Sequence, residues 1–229
     1  MASSSTSPPE GRTVRLFEAW NARLPRIGDL AFAAFWLALG SGALVAIPYD
    51  AGAAFDSLQL LLLTNPAGTF LRGLHYWSAQ LFLVFTALHL IEHLARRTEG
   101  RVQLGVWLRL VLSTAVVVYL MVSGYVLKGD AEGQLARQVM AGLLERLPVL
   151  GGALHALLVG PEDSLQLLYV QHAATATLLT LAFIVEHFRR AWPSATAWLV
   201  ALGASALLTV ALVPTLHDPA NPVVKGPWY

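Results

Sequence analysis

The sequence predicts an all-α integral membrane protein, a four-helix bundle followed by a fifth transmembrane helix. Three observations predict it. Of 229 residues, 56% are hydrophobic and 13% charged, against about 25% charged in a soluble domain, and the mean hydropathy is +0.58. Five apolar runs reach the roughly 20 residues that a bilayer crossing needs. Two of those runs each carry two histidines at nearly the same spacing, in a medium where ionisable side chains are costly and tend to mark function.

The elements follow in order. Met1–Glu10, rich in Ser and Pro, reads as a disordered tail. No cleavable signal peptide is expected, because the first 28 residues are polar, carry four arginines and have no apolar core. Thr13–Leu24 sets Val14, Leu16, Phe17, Trp20 and Leu24 at helical spacing with charges on the other face. That pattern predicts a short helix lying on the membrane surface, so residues 1–28 form an N-terminal tail and surface helix. The spans Asp29–Ile47, His75–Leu94, Leu104–Leu127 and Leu165–Phe188 make the bundle within 29–190, and Ser194–Pro214 is the fifth span, within 191–229. Two long connections, 48–74 and 128–164, separate them. The second holds a helix-like segment, Gln134–Leu147, and a Gly-interrupted apolar stretch, Pro148–Leu158.

Charge sets the orientation. Arg12, Arg15, Arg23 and Arg26, with Arg96, Arg97, Arg101, Arg189 and Arg190, make nine of the fifteen basic residues, all before the first span or in the two short links. The positive-inside rule puts the N-terminus and those links in the cytoplasm. Five spans then place the C-terminus on the outer side of the cell's inner membrane. A net charge of +1 leaves no electrostatic footprint for nucleic acid. With no cysteine, disulfides, thiolate clusters and covalent haem attachment are excluded.

Metal chemistry therefore falls to the seven histidines and to carboxylates. His75 and His89 lie fourteen apart in the second span, His172 and His187 fifteen apart in the fourth. At 100° per residue these return within about 40° and about 60° of the starting direction, with rises of about 21 and 22.5 Å. The two spans are separated by one other and so run the same way. His75 is then level with His172 near the outer surface, and His89 with His187 near the cytoplasmic one. Zinc needs its ligands around one point, which a separation near 21 Å forbids. Two stacked haems, each with two axial imidazoles, fit the pattern. His93, one turn beyond His89, is an alternative inner ligand at a poorer depth match, and His155 and His217 read as solvated loop residues.

The segment TFLRGLHYWSAQLFLVFTALH, Thr69–His89, resembles the second helix of the cytochrome b family, the membrane core of quinol–cytochrome c and quinol–plastocyanin oxidoreductases. LFEAWNARLP, SGYVLKGDAEGQLARQV and DPANPVVKGPWY are similar to that family's surface helix, the end of its third helix and the start of its loop after the fifth. The spacing of fifteen looks like that of the photosynthetic-type branch. The resemblance implies two non-covalent b-type haems with bis-His ligation, quinone or quinol as substrate, and membrane redox partners. Those partners include a cytochrome c or Rieske-type iron–sulfur protein, a chain supplying the family's later helices, and a second copy in a homodimer. It also implies Gly28, Gly42 and Gly124 as positions where a haem face meets a helix without a Cβ, with Leu110 in place of the fourth glycine. Arg72 is implied as a partner of a haem propionate. Glu92, His93, Glu186 and Arg189, near the inner pair, have the chemistry to handle quinone protons.

The chain departs from the family pattern on the outer side. Where the family has Pro-Glu-Trp-Tyr it reads Gly226-Pro227-Trp228-Tyr229, and Lys128-Gly129 replace a Pro-Trp pair before Asp130. The usual proton-accepting glutamate is missing there. Two readings follow: a dihaem electron-transfer subunit linked to quinone, and a cytochrome b-derived structural anchor for redox subunits that has lost quinone chemistry.

Overall fold

A computed structural model describes residues 12–190 and 192–220, without the side chains of residues 12, 99, 101 and 186–190. The Met1–Glu10 tail and the Gly226–Tyr229 motif lie outside the described residues. Among the described residues every regular element is helical: α1 (Arg12–Asn21), α2 (Ile27–Val45), α3 (Ala54–Thr64), α4 (Pro66–Ala95), α5 (Leu104–Val126), α6 (Ala131–Glu145), α7 (Gly151–Leu158), α8 (Gln166–Val170), α9 (Thr177–Arg190) and α10 (Ala195–Ala211). A 3₁₀ turn, Thr98–Arg101, follows α4, and a π-turn, Gln171–Ala176, joins α8 to α9. Four helices are long and apolar enough to cross a bilayer: Ile27–Val45, Pro66–Ala95, Leu104–Val126 and Gln166–Val185. The chain is a multi-pass membrane protein.

The helix boundaries have local causes. The second span begins at Pro66, nine residues ahead of the predicted His75, because Pro66 takes the first helical position and the Asn65 side chain accepts from the Gly68 N–H at 2.9 Å. Hydropathy hid this turn because Arg72 interrupts the apolar run. Its guanidinium is buried and donates through Nη1 to the Pro214 carbonyl at 2.7 Å. Thirty residues make α4 about 45 Å long, more than the hydrocarbon core. The fifth span is helical for 17 residues, capped by Ser194, and runs on to Pro214 without helix. Helix α3 lies within the first connection, 48–74. The second connection holds α6 and α7, close to the two segments expected there.

Helix α2 packs along α4, and α10 covers both; α5 pairs with α9. The α2–α10 contact is made by Leu30 and Ala33 against Ala197 and Ala201, flanked by Trp20, Phe85 and Trp198. Small side chains let the backbones approach closely, which is what drives helix association where lipid removes the hydrophobic term. On the other side of α5, Leu108, Val111, Leu112 and Val118 are exposed, as suits a surface solvated by acyl chains.

The π-turn resolves the mismatch between the two histidine spacings. A π-turn absorbs one extra residue relative to an α-helix. Fifteen residues from His172 to His187 therefore carry the rotational phase of fourteen, about 40° from the start, as in α4. His172 lies within the turn, and its carbonyl accepts from Thr177 Oγ1 at 2.6 Å. That bond adds a side-chain donor across the widened turn.

Candidate functional site

His75 of α4 and His172 of the π-turn face each other across the gap between the two helix pairs. Their ring centroids are 6.2 Å apart, with the ring planes at 83°. Neither ring is loosely placed. His75 Nδ1 is 2.8 Å from the Ala38 carbonyl and His172 Nδ1 is 3.0 Å from Ser123 Oγ, which leaves each Nε2 as the outward nitrogen. Ser123 and Ala38 carried no signal in the sequence, because they matter only through which helix they lie on.

Each ring also abuts a glycine on a neighbouring helix. A Cβ on Gly42 would lie 2.7 Å from His75 Cε1, one on Gly124 2.8 Å from His172 Cε1, and one on Gly28 2.9 Å from His89 Cε1. Gly40, on α2, has nothing within 4 Å. The glycines implied by the family resemblance are thus ones whose missing side chains make room for histidines. In this geometry the imidazole, rather than a haem face, is the group that a Cβ would strike.

A cavity of about 290 Å³ lies between α2, α4, α5 and the π-turn, lined by His75, His172, Gly42, Gly124, Arg72 and Phe82 among others. Its wall is largely apolar, with Arg72 as a buried cation. Two imidazoles bound to one metal ion through nitrogen at about 2.0–2.1 Å would have centroids about 6.3 Å apart, taking the nitrogen as about 1.1 Å from the ring centre. The observed 6.2 Å separation agrees with that figure, so His75 and His172 fit as the residues that would hold a bis-imidazole haem.

Toward the C-terminal end of α4, His89 sits against Gly28, one turn from His93, the two rings 4.4 Å apart. The backbone of α9 carries His187, Glu186 and Arg189, whose side chains lie outside the described residues. His93 Nδ1 is 2.7 Å from Thr98 Oγ1, which turns that ring toward the link after α4. Glu92 is buried; its Oε1 accepts from Asn21 Nδ2 at 2.9 Å, and Arg96 stands 3.3 Å away.

The end of the bundle where α5 meets α6 holds a charged network that the sequence did not foretell. Asp130 is fully buried and caps α6, accepting from the Gly133 N–H at 2.9 Å. Lys128 lies 3.0 Å from Asp130 and 2.8 Å from Glu132, and Tyr125 donates to Glu132 at 2.5 Å. Burial alone would raise the Glu132 pKa, but the hydrogen bonds from Lys128 and Tyr125 outweigh it and hold the carboxyl below its usual range. His217, expected as a solvated loop residue, is instead tied in: its N–H donates to Asp130 at 3.1 Å and its ring stands 3.4 Å from Glu132. Asp130, Glu132 and His217 are grouped closely enough to hold a metal ion, yet the Lys128 ammonium already lies among the carboxylates. His217 itself does lie in a loop; His155, also expected in a loop, lies on α7, 3.9 Å from Glu145. The i,i+4 placement of Lys128 and Glu132 was the available clue.

Fold and site together define a multi-pass helical membrane protein with a histidine-walled cofactor cavity near one surface. A family model described as cytochrome b/b6/petB matches residues 19–191, and the chain belongs to that family. Membership implies a b-type haem. Cytochrome b6 of Gracilaria tenuistipitata var. liui is 27% identical over 168 residues, covering 71% of this chain and 78% of the relative. Cytochrome b6 of Chlamydomonas reinhardtii matches with the same identity and coverage. A chain of a hyperthermophilic respiratory Complex III superposes with a TM-score of 0.65 at 17% identity, over 93% of this chain and 70% of that one. That likeness shares the fold.

Proposed function

We propose that the chain is a dihaem b-type cytochrome subunit, passing electrons across the bilayer between a quinone pool and a cytochrome c or iron–sulfur partner. The facing pair His75 and His172, at the separation two axial imidazoles need, carries this reading. His89 and His187 hold the inner haem at the depth set by the matched helix phases. Bound haem iron supplies a reversible one-electron couple. The chain's own residues do the rest. Ala38 and Ser123 fix the Nδ1 side of the outer ligands, and the three glycines leave room for the rings. Arg72 offers a buried cation to a propionate, with one donor already committed to Pro214.

A quinone is placed at the inner face beside Glu92, His93, Glu186 and Arg189. The arginine distribution supports an N-terminus in the cytoplasm and a C-terminus outside, in the cell's inner membrane. Residues 29–190 act as the haem-holding unit, and 191–229 adds the fifth span. Redox subunits, a chain supplying further helices and a second copy are the partners this reading requires. A second reading, a structural anchor without quinone chemistry, is favoured by one observation. Lys128, in place of the family's proline, is engaged by Asp130 and Glu132 and closes the outer end with charge.

The test is a dithionite-reduced minus oxidised spectrum with haem quantified per chain as the pyridine haemochrome. Two haems are expected, falling to one in His75→Ala. Unchanged haem content in that variant overturns the assignment, and quinol that fails to reduce the haems favours the anchor.

A further inference from the structure

The described histidine rings differ in what meets Nδ1. For His75 it is a backbone carbonyl and for His172 a serine hydroxyl, both neutral. For His89 it is a carboxylate, Glu92 Oε2, at 3.9 Å. This carboxylate is not a mobile surface group. It is 8% exposed, and it is gripped from two helices. Asn21 of α1 donates to Oε1 at 2.9 Å, and Arg96, one turn along α4, lies 3.3 Å from the same oxygen. Arg96 is in turn 3.7 Å from Glu18, again on α1. The tethers all engage Oε1, and Oε2 is left turned toward the imidazole.

At 3.9 Å the carboxylate is beyond hydrogen-bond distance of the imidazole, so it acts on the ring and on a bound iron through its field. Fixed negative charge close to the iron also favours the oxidised over the reduced state, and second-shell groups of this kind are among the protein's levers on a haem potential. Charge in a poorly screened interior acts more strongly than at a water-exposed surface.

We propose that Glu92 sets the potential of the inner haem: its charge, held beside His89, lowers that midpoint, and the surface helix α1 keeps it in place through Asn21. The inference rests on the reading of His89 as a haem ligand. It gives Glu92 a task other than taking quinone protons, since Oε1 is engaged by Asn21 and Arg96, and it leaves His93, Glu186 and Arg189 for that chemistry. It also gives α1 a function beyond anchoring, because the helix holds the charge that biases an electron toward the outer haem.

The experiment is a potentiometric titration of the full-length, haem-loaded protein, following both haems by their α-bands. His89→Ala is run alongside for haem content. Glu92→Gln keeps the shape and removes the charge. It is expected to retain two haems and to raise the inner reduction equilibrium constant about tenfold, about 59 mV for one electron, with the outer midpoint unmoved. Glu92→Asp keeps the charge and is expected to stay near the wild-type midpoint; Asn21→Ala, which loosens the carboxylate without removing it, should give a smaller rise. Glu92→Gln with both haems present and both midpoints unchanged overturns the proposal. If Glu92→Gln loses the inner haem, the Asp variant decides, and an inner midpoint raised about tenfold there overturns it as well. Undiminished haem in His89→Ala refutes the ligand reading instead, and this inference falls with it.

Discussion

Replacing Gly42 by Ala adds one methyl group, and the structure says where it goes. The new Cβ would lie 2.7 Å from Cε1 and 2.8 Å from Nδ1 of His75. Carbon atoms in contact settle at about 3.5–4.0 Å, so ring and helix must part by about 1 Å. The ring has little room to comply, because its Nδ1 is held 2.8 Å from the Ala38 carbonyl on the same helix as Gly42. A metal–ligand bond tolerates only about 0.2 Å of displacement. Overpacking of this size costs about 1–3 kcal/mol, which corresponds to about a 5- to 150-fold loss of affinity for the outer haem. The assay is haem per chain by pyridine haemochrome, after purification at several haem concentrations. Gly40→Ala is the control. It changes the same residue type on the same helix where nothing lies within 4 Å, and it should leave haem content alone. If Gly42→Ala holds haem as well as Gly40→Ala does, the argument that the glycine exists to admit the histidine is refuted.

Two further outcomes are expected. Thr177→Val leaves the His172 carbonyl without its 2.6 Å partner; a hydrogen bond within a membrane helix bundle is worth about 0.6–1.7 kcal/mol. The variant should lower the thermal midpoint in detergent and weaken outer haem retention more than a Thr→Val change at exposed Thr64, whose hydroxyl bonds only within its own helix. Acid should weaken the outer end. Because the folded Glu132 pKa lies below its ordinary value of 4.5, its contribution to stability is fully present above about pH 4.5 and is lost as pH falls through the folded value. Glu132→Gln should flatten the stability–pH curve over that acid window, and an unaltered curve would show that the Lys128–Glu132 pairing does not couple to folding.

Much of the molecule was legible in the chain. Hydropathy and length located the crossings, because every backbone polar group in lipid must be satisfied within its own helix, and long apolar runs have no other solution. The two histidine spacings, read with a 100° turn, put each pair on roughly one face of its helix, and the order of the spans put His75 level with His172; the glycines came from the family resemblance. Spacing within a helix is local, so local sequence sets it. What tertiary structure decided is how helices meet one another. A π-turn brings fifteen residues into the phase of fourteen, and one cannot know from the sequence where the extra residue is absorbed. Glu92 read as a carboxylate able to handle quinone protons; it is buried, with Asn21, 71 positions earlier, beside it. His217 read as a solvated loop residue; it lies in a loop, yet its backbone N–H docks on Asp130 across 87 positions of chain. Partners that distant are chosen by packing, and packing depends on all the helices at once.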